Sequence, residues 1–427
     1  MIPTALLTLL LLMALAIPVA ASMGVLGLVL AQLFAFLPVS RAAGEIAWTS
    51  SNEFLLVSLP LFILLGELLL RSGLAERMYS ALAKWLSWLP GGLMHSNIAA
   101  CALFAATSGS SVATAATVGT VALPQAQRFG YNERLFLGTL AAGGTLGILI
   151  PPSINMIVYA VLTNTSVPKL YLAGIVPGVV LSLAFMAVVL LACLVRPAWG
   201  GQRGGWSLRA ALGGLVHLVP PLGVFAVVVG SIYAGIATAT EAASLGVMMG
   251  LALAAWTGTL NWPMLREALL GTMKSTGMIM LIVVAAYFLN FVMSSIGLTT
   301  RMTDALQGLG LGKWGMLFAV VVFYVVLGCF METLSMMITT VPVIAPVMQA
   351  LGFDMVWFGI MVIVLVETAL ITPPVGLNLF VVQNLRKQGS LNDVIIGSLP
   401  FVGALFLLLL LLALFPGLAL WLPSVLA

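Results

Sequence analysis

The stretch 145-TLGILIPPSINMIVY-159 decides how this chain folds. Both ends are as apolar as a membrane helix, but the middle holds Pro151 and Pro152, with Ser153 and Asn155 close behind. Proline lacks a backbone donor, clashes with the preceding turn and biases the residue before it away from helix. Two in succession break the helix near mid-membrane, where bare backbone is tolerated only against protein or a water-filled cavity. The same device recurs 222 residues later in 367-ETALITPPVGLNLFVV-382, with Pro373 and Pro374 in register. That offset also aligns Pro124 with Pro346 and Gly130 with Gly352. An offset of 224 aligns 72-SGLAERMYSAL-82 with 296-IGLTTRMTDAL-306. Two broken apolar segments at matching places in two halves are the pattern of a transporter's binding site.

Composition agrees. Hydrophobic residues make up 62% and charged residues 7% of the chain, against roughly 25% charged in soluble domains. Many apolar runs are long enough to span a bilayer, so the fold class is an all-α polytopic membrane protein. The net charge of +4 comes from basic residues scattered among loops, not from a nucleic-acid-binding patch. Cys101, Cys193 and Cys329 sit in apolar runs without metal or redox spacing and read as small packing residues. There is no HExxH zinc motif. The string 107-TSGSS-111 superficially resembles a serine nucleophile, but His95 and His217 lie near span ends, where interfacial anchoring explains them better than a catalytic base. An enzyme is therefore not expected.

In chain order, the first span covers about 4–38 and bends at Pro18; the apolar run continues too far for a signal peptide. A polar loop, 40–52, leads to a span at about 54–70 that carries Glu67. Residues 72–89 mix basic and aromatic side chains as an interfacial helix does. Residues 93–130 are apolar with a small, hydroxyl-rich centre, 107-TSGSSVAT-114. Each arm is too short for a full span, which suggests a re-entrant hairpin. The broken helix 135–163 and a span at 170–195 complete a first repeat, 1–195. A cytoplasmic connector, 196–212, precedes a second repeat, 213–427. The latter holds spans at about 213–233, 239–257 and 275–294, an interfacial helix at 297–311 and a hairpin at 314–352 with its tip near 329-CFMETLSM-336. The broken helix 356–383 and a last span at 396–422 follow.

Five spans separate the two interfacial helices and each hairpin adds an even number of crossings. The second copy is therefore upside down, an inverted repeat. With the N-terminus on one side, that side receives twelve basic residues, among them Arg71, Arg77, Arg134 and Arg386. The other side receives four: Arg41, Lys169, Arg301 and Lys313. Basic residues concentrate in cytoplasmic loops, which places the N-terminus in the cytoplasm and the C-terminus in the periplasm.

Hairpin tips and helix breaks end in unpaired backbone groups. Helix N-termini attract anions, while unwound carbonyls and C-terminal ends attract cations. Ser108, Ser110, Ser111 and Thr114, facing the break at Ile150–Asn155, form one oxygen-rich pocket. Glu332, Thr333 and Ser335, facing Thr368, Thr372, Gly376 and Asn378, form another. Hydroxyls and carbonyls with few charges suit sodium, and Gly109 and Gly376 allow close backbone approach. The alternative is that these small residues only pack helices; two clusters, each beside a Pro-Pro break, weigh against it. Glu241, Glu332 and Glu367 should each face a cavity or a partner, because a charge at mid-membrane costs about 2.5–3.5 kcal/mol.

The strings GILIPPSINMIVYAVLTNTSVPKLYLAGIVPG (147–178), GIATATEAA (235–243) and VWFGIMVIVLVETALITPPVGLNLFVV (356–382) resemble the large membrane subunit of TRAP transporters, the DctM type, and the similarity runs the whole chain. The resemblance implies sodium-driven uptake of an organic acid, with sodium ions co-transported and no organic cofactor. It implies three partners: a small DctQ-type membrane subunit, here a separate polypeptide, a periplasmic DctP-type binding protein, and the lipid bilayer of the bacterial inner membrane. It also implies a scaffold and a transport domain moving as an elevator. Sodium would be held by Ser108, Gly109, Ser110, Pro151, Ser153 and Asn155 at one tip, and by Thr333, Thr368, Thr372, Pro373, Gly376 and Asn378 at the other. Substrate would lie between the tips, touching Ser110, Ser111, Thr114, Asn155, Glu332, Thr333 and Asn378. Ala239 departs from the family, which usually has proline there, and puts the turn before Glu241 in question. A stand-alone carboxylate symporter of the same architecture and a membrane scaffold without transport of its own remain as alternatives.

Overall fold

The computed structural model describes residues 1–427 except 16, 37, 203–206, 309, 329–330, 375, 387 and 427; the side chains of 6, 10, 13, 14, 40, 106–108, 208, 210, 299, 303 and 305–307 are also outside the description. Every regular element among the described residues is helical. The first half contains α1 (Ile2–Ala14), α2 (Val19–Phe34), α3 (Ala43–Ser51), α4 (Ser58–Arg71), α5 (Leu74–Leu86), α6 (Gly92–Ser108), α7 (Ser111–Arg128), α8 (Glu133–Leu149), α9 (Ile154–Thr163) and α10 (Val167–Val195). The second contains α11 (Leu208–Gly214), α12 (Val219–Tyr233), α13 (Ala239–Trp256), α14 (Trp262–Ser295), α15 (Leu298–Gly308), α16 (Gly312–Gly328), α17 (Thr333–Ala350), α18 (Met355–Ile371), α19 (Leu377–Leu385), α20 (Leu391–Leu414) and α21 (Gly417–Leu426). Six helical stretches are long and apolar enough to cross a membrane, and two bent pairs pass that test together.

The order in the two halves matches from the short amphipathic helix onward. In α5, Leu74, Met78, Ala81 and Leu82 are buried while Glu76, Arg77 and Ser80 are exposed, the spacing of a one-faced helix. Its indole Trp85 donates to the Ala211 carbonyl at 2.7 Å, which pins α5 to α11. The pair α6–α7 turns back on itself at Gly109, and α16 and α17 are its counterparts. The broken helix α8–α9 bends by 42°. It runs antiparallel to α18–α19. The Tyr159 hydroxyl on α9 donates to the Met355 carbonyl at the start of α18, at 2.8 Å. At the other end Leu385 reaches the α7–α8 crevice beside Gly119 and Leu140.

Glycines set the closest crossings. A Cβ on Gly138 of α8 would collide with the Gly397 carbonyl of α20, so these backbones touch without side chains between them. At the same end Arg134 pairs with Asp393 at 2.9 Å and Arg386 with Glu133 at 2.9 Å. These pairs tie the starts of α8 and α20 to the end of α19. A separate wall is built from α2, α4, α13 and α14. Leu65 of α4 fills the space above Gly246 of α13, and Phe288 of α14 lies against Gly27 of α2.

Several boundaries differ from the sequence reading. The first span is two helices, α1 and α2, joined around Pro18. The expected loop at 40–52 contains a 3-10 turn and α3, whose Ser50 hydroxyl donates to Ile46. The expected span at 275–294 is the end of a longer helix, α14. Asn261 caps it through Met264 N–H at 2.9 Å and Pro263 sits in its first turn. Thirty-four residues at 1.5 Å each give about 51 Å, well beyond the roughly 30 Å hydrocarbon core. The expected last span at 396–422 is split: α20 stops at Leu414, and Pro416, unable to continue it, opens α21. His95 is buried in the first turn of α6 and bonds the Pro90 carbonyl at 3.0 Å.

Candidate functional site

The first tip forms where α6 gives way to α7. Gly109 closes α6 in the left-handed conformation, φ 62°, which glycine adopts without strain. Ser110 is then extended and caps α7, its hydroxyl accepting from Ala113 N–H at 3.4 Å. The Thr114 hydroxyl donates to the Ser110 carbonyl at 2.7 Å. This tip lies directly on the first break. A Cβ at Gly109 would stand 2.8 Å from the Pro152 carbonyl oxygen, and one at Gly147 2.8 Å from the Ser110 carbonyl.

At the break itself, Ile150 is extended, the Pro151–Pro152 bond is cis, and Ser153 restarts the helix. The Ser153 hydroxyl accepts from Met156 N–H and donates back to Ile148 at 2.6 Å, spanning the gap. Asn155 is buried beside Met337 of α17.

The second half repeats the arrangement with different side chains. Glu332 caps α17, its carboxylate accepting from Leu334 N–H at 3.1 Å and Ser335 N–H at 3.0 Å, and from the hydroxyls of Thr333 and Ser335. The second break runs through Thr372, the cis Pro373–Pro374 bond and Gly376, at φ 27°. Thr368 and Thr372 each donate to the carbonyl four residues back, which leaves their oxygen lone pairs free to accept. Asn378 is fully buried and donates to Ala141 of α8 at 3.1 Å; its Oδ1 has no hydrogen-bond partner. The two halves exchange partners: α9 packs on α17, and α19 packs on α7.

Both tips and both breaks line one cavity of about 200 Å³. Of the residues singled out in the sequence, Gly109, Ser110, Ser111, Asn155, Glu332 and Thr333 line it. Thr114, Pro151, Ser153, Thr368, Thr372, Pro373, Gly376 and Asn378 are not among its lining. The Ser108 side chain lies outside the described residues, as does the stretch 329–330 before the second tip. The far wall is α4 and α14, with Glu67 and Ser275 as its polar side chains. The sequence reading did not assign this wall to the site. Its signal was a carboxylate inside an apolar span, four residues before Arg71.

The other glutamates separate. Glu367 is fully buried beside the backbone of Leu149, where the end of α18 meets the end of α8. Glu241 is exposed and does not line the cavity between the tips. It forms a capping box with Thr238 at the start of α13, accepting from Thr238 N–H at 2.8 Å and Thr238 Oγ1 at 2.9 Å. This cap holds the helix start at Ala239. Glu241→Ala should lower the thermal midpoint and leave the sodium dependence of uptake unchanged. A shifted sodium dependence would show that Glu241 does more than cap α13.

The family model for the Tripartite ATP-independent periplasmic transporter, DctM component, matches residues 6–418. The chain belongs to the DctM family. It is 31% identical to the C4-dicarboxylate TRAP transporter large permease protein DctM of Vibrio cholerae, over 96% of this chain and 94% of that one. It is 35% identical to the Pseudomonas aeruginosa protein of the same name, over 88% and 87%. It is 31% identical to the ectoine TRAP transporter large permease protein TeaC of Halomonas elongata, over 86% of each. The fold is also that of the crystal structure of the Alcanivorax borkumensis YdaH transporter, with a TM-score of 0.63 over 97% of this chain and 98% of that one, at 15% identity. The DctM chain is thus a transporter permease subunit of the inner membrane, not an enzyme.

Proposed function

We propose that this DctM chain carries an organic acid into the cell together with sodium, moving its tips and breaks as one body along the α4–α14 wall. The observation that carries this reading is the convergence of both tips and both breaks on a single cavity bounded by that wall. Helices α7, α9, α17 and α19 all begin there. Helix N-termini favour a carboxylate, and the carbonyl and hydroxyl oxygens around the breaks favour a hard cation. Sodium falls to Gly109, Ser110, Pro151, Ser153 and Asn155 on one side and to Thr333, Thr368, Thr372, Pro373, Gly376 and Asn378 on the other. The named cargoes of the relatives, C4-dicarboxylate and ectoine, are small polar acids.

The tips stand beside Ile63–Leu70 of α4 and Ser275–Ile279 of α14. On α4 this is the half nearest Arg71; on α14 it is the middle of the helix. With Arg71 on the cytoplasmic side, the position of the tips along α4 supports the inward state of an elevator. If two sodium ions accompany a monoanion, each cycle moves one positive charge inward, and 100 mV contributes about 2.3 kcal/mol. The cargo arrives on a periplasmic binding protein, and a small DctQ-type subunit completes the assembly.

The test is uptake into proteoliposomes that hold the chain and its small partner, with an imposed sodium gradient and with or without the binding protein. Uptake should require both. Uptake without the binding protein would make this a stand-alone symporter, and uptake indifferent to sodium would remove the coupling altogether.

A further inference from the structure

The cavity has a charge pattern that its tips do not explain. Among its described lining residues there is no Arg, Lys or His; the charged groups are Glu332 and Glu67. Glu332 is committed to capping α17, with both oxygens accepting from backbone N–H groups. Glu67 is different. It stands on the opposite wall, on α4, with its side chain 22% exposed. One of its oxygens accepts from Arg71, which also reaches Glu267 at 3.5 Å. Two carboxylates thus share one guanidinium, and the cluster keeps a net negative charge. Arg71 is not part of the lining, so the cavity sees the carboxylate end of the pair.

Helix α14 is shaped around this group. Gly271 leaves the space that the carboxyl occupies: a Cβ there would lie 2.8 Å from the Glu67 carboxyl carbon and 2.8–2.9 Å from both oxygens. One turn further on, Ser275 is the wall's other polar lining residue. The wall is therefore a fixed anionic surface facing a pole that suits a carboxylate.

Resting on the reading above, we propose that Glu67 determines specificity for the end of the cargo that faces α4. A cargo carboxylate sits at the tips. A second anionic group would then point at Glu67, away from the sodium at the tips and with no basic side chain among the described lining residues to offset it, whereas a neutral or cationic group fits. The cargo class is a monoanion or zwitterion, not a dicarboxylate.

Three four-carbon probes test this on the full-length chain in saturating sodium, with the thermal midpoint as readout. Butyrate is a monoanion, 4-aminobutyrate a zwitterion and succinate a dianion. Half-maximal stabilisation by 4-aminobutyrate and by butyrate should need at least about tenfold less ligand than by succinate, a difference of about 1.4 kcal/mol. Glu67→Gln should shrink that ratio severalfold, because it removes the repelling charge and frees Arg71; Glu67→Asp should keep the wild-type order. Succinate binding as well as or better than the other two, or a ratio unchanged in Glu67→Gln, overturns the proposal. The wild-type order decides by itself if a variant does not fold. Absence of sodium-dependent stabilisation by all three probes overturns the carboxylate reading, and this inference with it.

Discussion

Gly147→Ala should cut sodium-driven uptake by about tenfold or more while the protein still folds. The added methyl would stand 2.8 Å from the carbonyl carbon and oxygen of Ser110 and 2.9 Å from the Ser111 nitrogen. These are backbone atoms at a hairpin tip, not the far end of a flexible side chain, so the tip or α8 must move. Overpacking of this kind costs about 1–3 kcal/mol. Alanine recovers roughly 0.5–1 kcal/mol of that as a better helix former than glycine. The folded state survives near its original stability with the first tip displaced from the first break. About 1.4 kcal/mol lost from the closed arrangement corresponds to the tenfold fall. Gly223→Ala is the control, since nothing lies within 4 Å of the new methyl there. Wild-type initial rates in Gly147→Ala would show that the tip does not close on the break during transport.

Much of this arrangement was legible before any coordinates. Paired prolines are local signals, so both helix breaks could be placed from residue type alone. Ser110, Ser111, Asn155, Glu332 and Thr333, picked out for their oxygens, do meet at one cavity. Hidden from the sequence was which apolar surface faces that cavity. Span α4 reads as apolar all round, and only packing against α14 turns Glu67 inward. Glu241 misled for the opposite reason. Its position within an apolar run suggested a buried charge, but the capping box with Thr238 makes it the first turn of α13. Pro416 sits late in an apolar run, so α20 and α21 read as one span until the break is seen. The long α14 was underestimated because Arg266, Glu267 and Lys274 look like loop residues, although Asn261 and Pro263 are strong start signals.

The exchange of partners between halves gives the two tips unequal support. Asn155 at the first break meets a thioether, Met337 of α17, at 3.6 Å. Asn378 in the second half is held by a backbone carbonyl, Ala141 of α8. The soft contact can part at little cost, whereas the hydrogen bond from the Asn378 amide ties α19 to α8. Asn378 is thus the more firmly held of the two asparagines, with its Oδ1 left to accept.

Asn378→Ala should therefore raise the sodium concentration for half-maximal uptake by about tenfold or more. The side chain is fully buried in the first turn of α19, and its Oδ1 lacks a hydrogen-bond partner. Leaving a buried acceptor unpaired costs about 1–3 kcal/mol, which a cation at this oxygen would offset. Gly144 keeps the neighbourhood open: a Cβ there would fall 3.0 Å from Asn378 Nδ2 and 3.2 Å from the Ser111 carbonyl oxygen. Alanine removes the oxygen and the tie to Ala141 together, so a second variant must separate them. Asn378→Asp keeps an oxygen and loses the donor. If Oδ1 binds sodium, the aspartate variant should need no more sodium than wild type, while its thermal midpoint falls with the lost bond to Ala141. Equal sodium dependence in wild type and Asn378→Ala, with only the midpoint lowered, would make the residue a strut between α19 and α8. The second sodium position would then rest on Thr333, Thr368 and Thr372, whose hydroxyl oxygens keep acceptor capacity.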